Sequence, residues 1–497
     1  MLFHSPIFLF AFLPVTWGIF RLLASLGRRQ VALAWVVLMS LVFYGYWNPA
    51  YLILIVGSIA VNFTVGMRIA PGGSALSDPT RRWLLYGGLI FNLGLLGYFK
   101  YANFFVDSLH GITGWSFNLA HVILPLGISF FTFQKIAFLV DAYQGRTGKY
   151  TLIEYCFFVT FFPQLIAGPI VQHHQIIPQL ERPETFRFRA TDLWVGLTIF
   201  AIGLFKKMVL ADGCAIYVSP VFGGAGAHAG LGALDAWAAT LAYAFQLYFD
   251  FSGYSDMAIG LARMFGLLLP VNFNAPYRAT SIIEFWRRWH ITLSRFLRNY
   301  LYIPLGGNRQ GMFLRYRNLL VTMLLGGLWH GAGWTFVFWG GLHGLYLIGN
   351  HAAEALVFKR LPASVSGSRP VRLLGLVATF FCVLMAWVFF RADDFTSATS
   401  VLKAMFGGGH GGAMSLMPDN PWPWLLMVAV IVWAFPTTHD YLWRYTPALD
   451  PPPPRSRYAR LAWQPMFVHG MAIGILIFLT FRKYFVLQPT EFLYFNF

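Results

Sequence analysis

The chain has 497 residues, of which 57% are hydrophobic and only 11% charged. A soluble domain carries about 25% charged residues, so most of this surface faces something other than water, and a soluble globular fold is excluded. Lys and Arg outnumber Asp and Glu by 36 to 19, a net charge of +17. Cytoplasmic loops of membrane proteins collect such charge. No nucleic-acid-binding motif accompanies it, so nucleic acid is not an expected partner.

Apolar runs of transmembrane length recur from end to end, which predicts an all-α polytopic membrane protein in a lipid bilayer. The first spans fall at about 6–23, 31–47, 50–69 and 83–99. The first run has no basic segment before it and no small-residue cleavage site, so it reads as a retained helix. Arg28, Arg29, Arg81 and Arg82 make the first and third loops cytoplasmic, which puts the N-terminus outside. Residues 101–120 are mixed and aromatic and are expected at the outer interface.

A span over about 121–140 contains Pro125 and Gly127, which weaken a regular helix, with Gln134 and Lys135 in its inner half. Residues 153–170 end in PQLIAGPI and read as a broken or re-entrant segment. Irregular backbone at that depth needs cover from protein or water. A span over about 191–211 leads to the Gly-rich stretch GGAGAHAGLGA, an expected outer loop. Asp250 and Asp256 interrupt the apolar run 234–268. A carboxylate at membrane depth costs at least ~2.5 kcal/mol, so both should face the protein interior or lie near a surface, in packing or in chemistry.

From Arg278 to Arg317 there are eight arginines and one acid, Glu284. Spans follow at about 316–330, 334–351, 373–390, 422–440 and 466–486, with an outer Gly-rich loop near 407–413. Cys156, Cys214 and Cys382 are odd in number and far apart, which fits neither a disulfide framework nor a zinc site, and no metal is expected. No internal repeat is visible.

Two histidines stand out in this region. Read as one helix, Ile282–Leu301 gathers its apolar residues at 3–4 spacing on one face and Arg288, Arg295 and Arg298 on another. Such a helix lies in the cytoplasmic interface, where its arginines suit lipid phosphate or an anionic substrate. His290 should sit at the edge of its apolar face. His330 ends a helix expected to begin near Tyr316, about 14 residues or 21 Å long, short of the ~30 Å hydrocarbon core. Gly331, Ala332 and Gly333 then open the backbone, so His330 should lie deep, beside room for a ligand. A neutral imidazole there suits general-base work on a hydroxyl attacking a thioester. His343 is a third candidate, able to orient His330 or simply to pack.

The motifs YFDFSGYSDMAIG at 248–260, NFNAPY at 272–277, FWRRWH at 285–290, YIPLGGNR at 302–309 and LWHGAGWTFVFWG at 328–340 resemble the membrane-bound O-acyltransferase (MBOAT) family. LPLGISFFTFQ at 124–134 and FFPQLIAGPI at 161–170 agree, and the likeness is to its bacterial alginate O-acetyltransferase-like branch. The resemblance implies a single integral membrane domain over 1–497, with a core at about 100–350 and peripheral helices at 1–99 and 371–497. It implies a ring of transmembrane, tilted and re-entrant helices around a central tunnel. His330 of the WHG motif is implied to be catalytic, and His290 matches the family's second histidine. Trp286, Arg287, Arg288, Asp256, Trp329 and Asn272, within the matching motifs, are the candidate substrate-binding residues.

No bound cofactor is implied; the expected donor substrate is acetyl-CoA. The implied acceptor is a hydroxyl of an exopolysaccharide or cell-wall glycan, reached with a periplasmic esterase-like acetyltransferase partner. The implied location is the bacterial inner membrane. Two alternatives stay open at this point: D-alanyl transfer to a teichoic acid-like polymer, and a membrane transporter or flippase.

Overall fold

The computed structural model describes the chain except residues 72–75, 116–121, 224–229, 357, 361, 410, 413–415, 487–491 and 494–497, with backbone alone at 358, 363 and 486. Among the described residues the regular structure is helical, apart from a lone bridge between Pro270 and Leu449. Six helices there are long and apolar enough to cross a membrane: Phe8–Ser25, Tyr51–Ile69, Asp78–Thr113, Ala190–Phe222, Arg369–Arg391 and Phe467–Phe485. Arg29–Gly45 and Trp422–Ala434 are shorter apolar helices. The last of these stops before Pro436, well short of the expected 440, because the residue preceding a proline is pushed out of helical backbone. Most of the Gly-rich stretch at 223–233 and part of that at 407–413 lie outside the described residues.

The chain forms two compact units, assembled from non-consecutive stretches. The first comprises Met1–Ala201, Ser255–Val271 and Leu442–Pro451. Its expected span at 83–99 continues through a π turn at Gly97–Tyr101 into Ala102–Thr113, so the mixed aromatic stretch after residue 100 begins as helix. The expected span at 121–140 starts only at Ile128 and runs to Tyr143. Pro125 and Gly127 precede the helix instead of weakening it. Gly127 has φ +75°, and a Cβ there would meet the Leu165 carbonyl oxygen at 3.0 Å. Glycine is needed for both reasons.

The broken segment is present. Helix Leu152–Thr160, opened by a capping box of Thr151 and Glu154, ends at Phe161 (φ −47°, ψ 108°), and a single turn follows at Phe162–Leu165. Protein covers the break. The Phe162 N–H donates to Ser40 Oγ (3.1 Å), and its ring packs on Phe12 and Phe43 at 5.4 and 5.6 Å. Polar side chains join the helices around it, as expected where apolar burial does not distinguish protein from lipid. Asn62 and Asn92 exchange amide hydrogen bonds, and the fully buried Lys135 donates to Ser58 Oγ (2.8 Å) beneath the Phe131 ring. His173 lies between Tyr150 (2.9 Å) and Asp141 (3.1 Å). Asp256 is buried in this unit.

The second unit comprises Ile202–Tyr254, Asn272–Tyr441 and Pro452–Phe497. Asp250 is buried here in an ion pair. A π turn at Lys206–Ala211 places Lys207 between Asp212 Oδ1 (2.9 Å) and Asp250 Oδ1 (2.7 Å). The Leu493 N–H donates to the other Asp250 oxygen (3.0 Å), and the Phe492 ring stacks on the ammonium. Asp250 thus faces the protein interior, one of the two placements its sequence context allowed.

The same unit holds helices Met312–His330 and Trp334–Leu356, packed along a glycine seam. A Cβ on Gly327 would come within 3.0 Å of the Gly340 Cα, and one on Gly340 within 3.1 Å of the Gly327 Cα. Small residues let two backbones approach in this way. Gly340→Ala is expected to push the helices apart and cost about 1–3 kcal/mol. Thermal unfolding in detergent measures this; an unchanged midpoint would mean that the seam yields freely.

Candidate active site

The segment from Thr280 to Tyr302 is not one helix. Ser281 Oγ accepts the Glu284 N–H (3.1 Å) and caps a first helix, Ile282–Arg288. A second helix spans Ile291–Leu297, and a π turn follows at Arg298–Tyr302. The predicted continuous helix breaks at His290, whose backbone is left-handed (φ 41°, ψ 55°). Histidine is among the residues that tolerate this region best. The break is held by a neighbouring strand of chain: Asn274 N–H donates to Arg288 O and Ile291 N–H to Asn272 O, both at 2.9 Å.

The charged face survives the break. Arg287, Arg295 and Arg298 are exposed, and Arg288 is half-buried against Glu284. The Glu284 carboxylate also accepts the Thr280 N–H (2.7 Å) and hydroxyl (3.0 Å). Partial burial opposes its ionisation, but the Thr280 and Arg288 interactions outweigh this and hold the carboxyl below the ordinary glutamate range.

His290 is fully buried, not at the edge of an exposed helix. Asn272 sets its proton. The Asn272 side-chain oxygen accepts the Thr292 N–H (3.3 Å) and hydroxyl (2.9 Å), so the atom facing His290 Nδ1 at 3.1 Å is an acceptor. His290 must donate from Nδ1, and a neutral ring then carries its lone pair on Nε2. The Phe251 ring meets it edge-on at 4.8 Å.

His330 is the last residue of Met312–His330, and the chain leaves the helix at Gly331 (φ −157°, ψ 148°). That helix has 19 residues rather than about 14, because it begins at Met312 and includes Arg315. Its length, about 28 Å at 1.5 Å per residue, nearly matches the hydrocarbon core, so shortness is not what buries His330. An aromatic enclosure does. Trp329, Trp339 and Phe390 surround the ring with centroids at 5.0, 5.1 and 5.3 Å. Only 3% of the residue is exposed.

The two histidine rings lie 6.3 Å apart, with Trp329 against both. The sequence had separated them, His290 toward the cytoplasm and His330 deeper. The left-handed residue removes His290 from the helix face on which that separation rested. Asn272, Trp329, His290 and His330 therefore gather in one place in the second unit. Trp286 stands one residue-shell away, on His343. Arg287 and Arg288 belong to the charged face. Asp256 is part of the first unit.

His343 does not orient His330 by a hydrogen bond. It accepts at Nδ1 from the Trp286 indole N–H (3.3 Å), stacks near Phe285 at 6.0 Å and meets the Trp339 ring edge-on at 4.8 Å. Sequence reasoning missed this link and the Trp339, Trp387 and Phe390 cluster. One signal was available: Trp339 and His343 are four residues apart, hence on one helix face.

A buried base, a second histidine of fixed tautomer and an apolar aromatic wall can take a proton from a hydroxyl while excluding water. The comparisons with known proteins agree with such chemistry. The profile of the MBOAT, membrane-bound O-acyltransferase family, matches residues 141–390, which include His290, His330 and His343. A peptidoglycan O-acetyltransferase of Helicobacter pylori is 45% identical, over 82% of this chain and 80% of its own. A probable alginate O-acetylase, AlgI, of Pseudomonas aeruginosa is 43% identical, over 82% of this chain and 75% of its own. A teichoic acid D-alanyltransferase of Streptococcus thermophilus is 27% identical, over 53% of this chain and 68% of its own. By profile and by identity alike, the chain belongs to the membrane-bound O-acyltransferase family and is a multi-pass membrane acyltransferase.

Proposed function

We propose that this enzyme moves an acetyl group from a thioester donor, acetyl-CoA, to a hydroxyl of a polysaccharide. The observation that carries the reading is the buried pair itself: His330 at the helix end, 6.3 Å from a His290 whose proton is fixed by Asn272. His330 takes the hydroxyl proton as that oxygen attacks the thioester carbonyl. The C–S bond then breaks, and the departing thiolate receives the proton. The products are an acetyl ester and a free thiol. The exposed arginines Arg287, Arg295 and Arg298 suit the phosphates of the donor on the cytoplasmic side.

Two relatives at 43% and 45% identity are named for acetyl transfer to alginate and peptidoglycan, which favours a polysaccharide acceptor. The D-alanyl alternative rests on a relative at 27% over about half of this chain, and a transporter has no support from the family. We place the enzyme in the inner membrane with its N-terminus outside, from the loop charges. A secreted esterase-like partner receiving or directing the acetyl group completes the proposal.

The test is purified protein in detergent, given acetyl-labelled CoA and either alginate or peptidoglycan fragments. Label should reach the glycan or appear as glycan-dependent acetate. If the donor stays intact, and a carrier-protein thioester is consumed instead, the acetyl assignment is wrong.

A further inference from the structure

The two buried histidines beside the aromatic wall hold opposite tautomers. His290 donates at Nδ1 to Asn272. His343 accepts at Nδ1 from the Trp286 indole, which can only donate. A histidine accepting at Nδ1 is neutral and carries its proton on Nε2. That Nε2–H is fully buried and has no hydrogen-bond partner among the described residues. One turn earlier on the same helix, the Trp339 indole N–H is in the same condition. An unmet buried donor costs about 1–3 kcal/mol, so two in adjacent turns call for an acceptor that the described residues do not supply. The Trp339 ring contacts both histidines, with its centroid 4.8 Å from His343 and 5.1 Å from His330.

We propose that His343 is a catalytic residue whose Nε2–H donates to the carbonyl oxygen of the transferred acyl group, with Trp286 as the positioning residue that keeps the proton on Nε2. This rests on the acyl-transfer reading above. As the hydroxyl oxygen bonds to the carbonyl carbon, the C=O electron pair moves onto oxygen, and the Nε2–H stabilises that charge without giving up its proton. When the C–S bond breaks, the pair returns to re-form the carbonyl. A donor already in place in a water-excluded site costs no reorganisation at that moment. The tautomer matters as much as the residue: a His343 protonated on Nδ1 would present a lone pair to the oxygen and repel it.

The experiment has a binding arm and a kinetic arm. In the first, a 13C-carbonyl acetyl thioester of CoA is bound to His330→Ala and to His330→Ala/His343→Leu, and the carbonyl stretch is read by infrared difference spectroscopy. The stretch should lie at lower wavenumber when His343 is present. Saturable binding with the same frequency in both variants overturns the inference alone, including the case in which a water satisfies His343. No saturable binding to either variant overturns the acyl-transfer reading and the inference with it.

In the second arm, His343→Leu should lower kcat by about 100-fold with KM little changed, the size seen on removing one such donor. His343→Gln, which keeps an N–H, should recover part of that loss. Trp286→Phe should lower kcat by about 10-fold in wild type and by nothing further in His343→Leu, because the two act through one bond. A packing role predicts the reverse: equal losses for Leu and Gln that track the fraction of folded protein.

Discussion

Replacing His330 with alanine is expected to reduce acyl transfer by about 1,000-fold or more, within the range set for loss of a general base. The ring ends the WHG helix, and its aromatic neighbours Trp329, Trp339 and Phe390 cannot accept a proton. Removal also leaves a hole in that enclosure, which lowers stability by a few kcal/mol at most, about the cost of a large-to-small core change. His330→Gln separates the two effects, since it fills much of the space and cannot act as a base at neutral pH. Both variants should insert and purify with wild-type chromatographic behaviour and both should be inactive. Turnover near wild type in the glutamine variant would remove His330 from the mechanism.

Lys207→Met is expected to destabilise the protein by about 3–5 kcal/mol, the cost of breaking a buried ion pair by deleting one partner. Lys207 is 1% exposed, and Asp250 likewise, while Asp212 is 8% exposed. With the ammonium gone, two carboxylates face each other in a site where water cannot replace it. The effect should appear as a lower unfolding midpoint in detergent and a lower yield from membranes. Adding Asp212→Asn and Asp250→Asn to Lys207→Met should restore much of the loss, because the charges no longer need compensation. If the triple variant melts as early as the single one, the cluster contributes through packing and not through charge.

The helices were legible because apolar length is a strong signal: Tyr51–Ile69 and Arg369–Arg391 lie close to their expected bounds. Ends were harder to place. The WHG helix begins at Met312, ahead of the expected Tyr316, so Arg315 falls within it and reaches His351 (2.9 Å), while Arg317 reaches Asn318. The break at His290 was hidden for a different reason. A left-handed residue changes no periodicity, so Ile282–Leu301 still scores as one amphipathic face. Only the pairing of Asn274 with Arg288 and of Asn272 with Ile291, across 14 and 19 residues, reveals it.

The candidate site was legible in part. His330 and His290 were found from a glycine-flanked break and a basic aromatic run, and Asn272 and Trp329 came with the motifs. Their mutual placement was not, because it depends on tertiary contacts across the second unit. The Trp286–His343 bond is of this kind: both residues were noticed, but the bond joins positions 57 residues apart.

The glycine seam has a consequence for gating. Where Gly327 and Gly340 meet, backbone lies against backbone with no side chain to hop between rotamers. Sliding one helix by a single residue, about 1.5 Å, would drive main chain into main chain. His330, three residues beyond Gly327, and Trp339, the neighbour of Gly340, are thus carried on one rigid block. Axial sliding of one helix past the other is therefore the motion this contact resists. Contacts made through side chains, which can change rotamer, keep more freedom to move than this seam does.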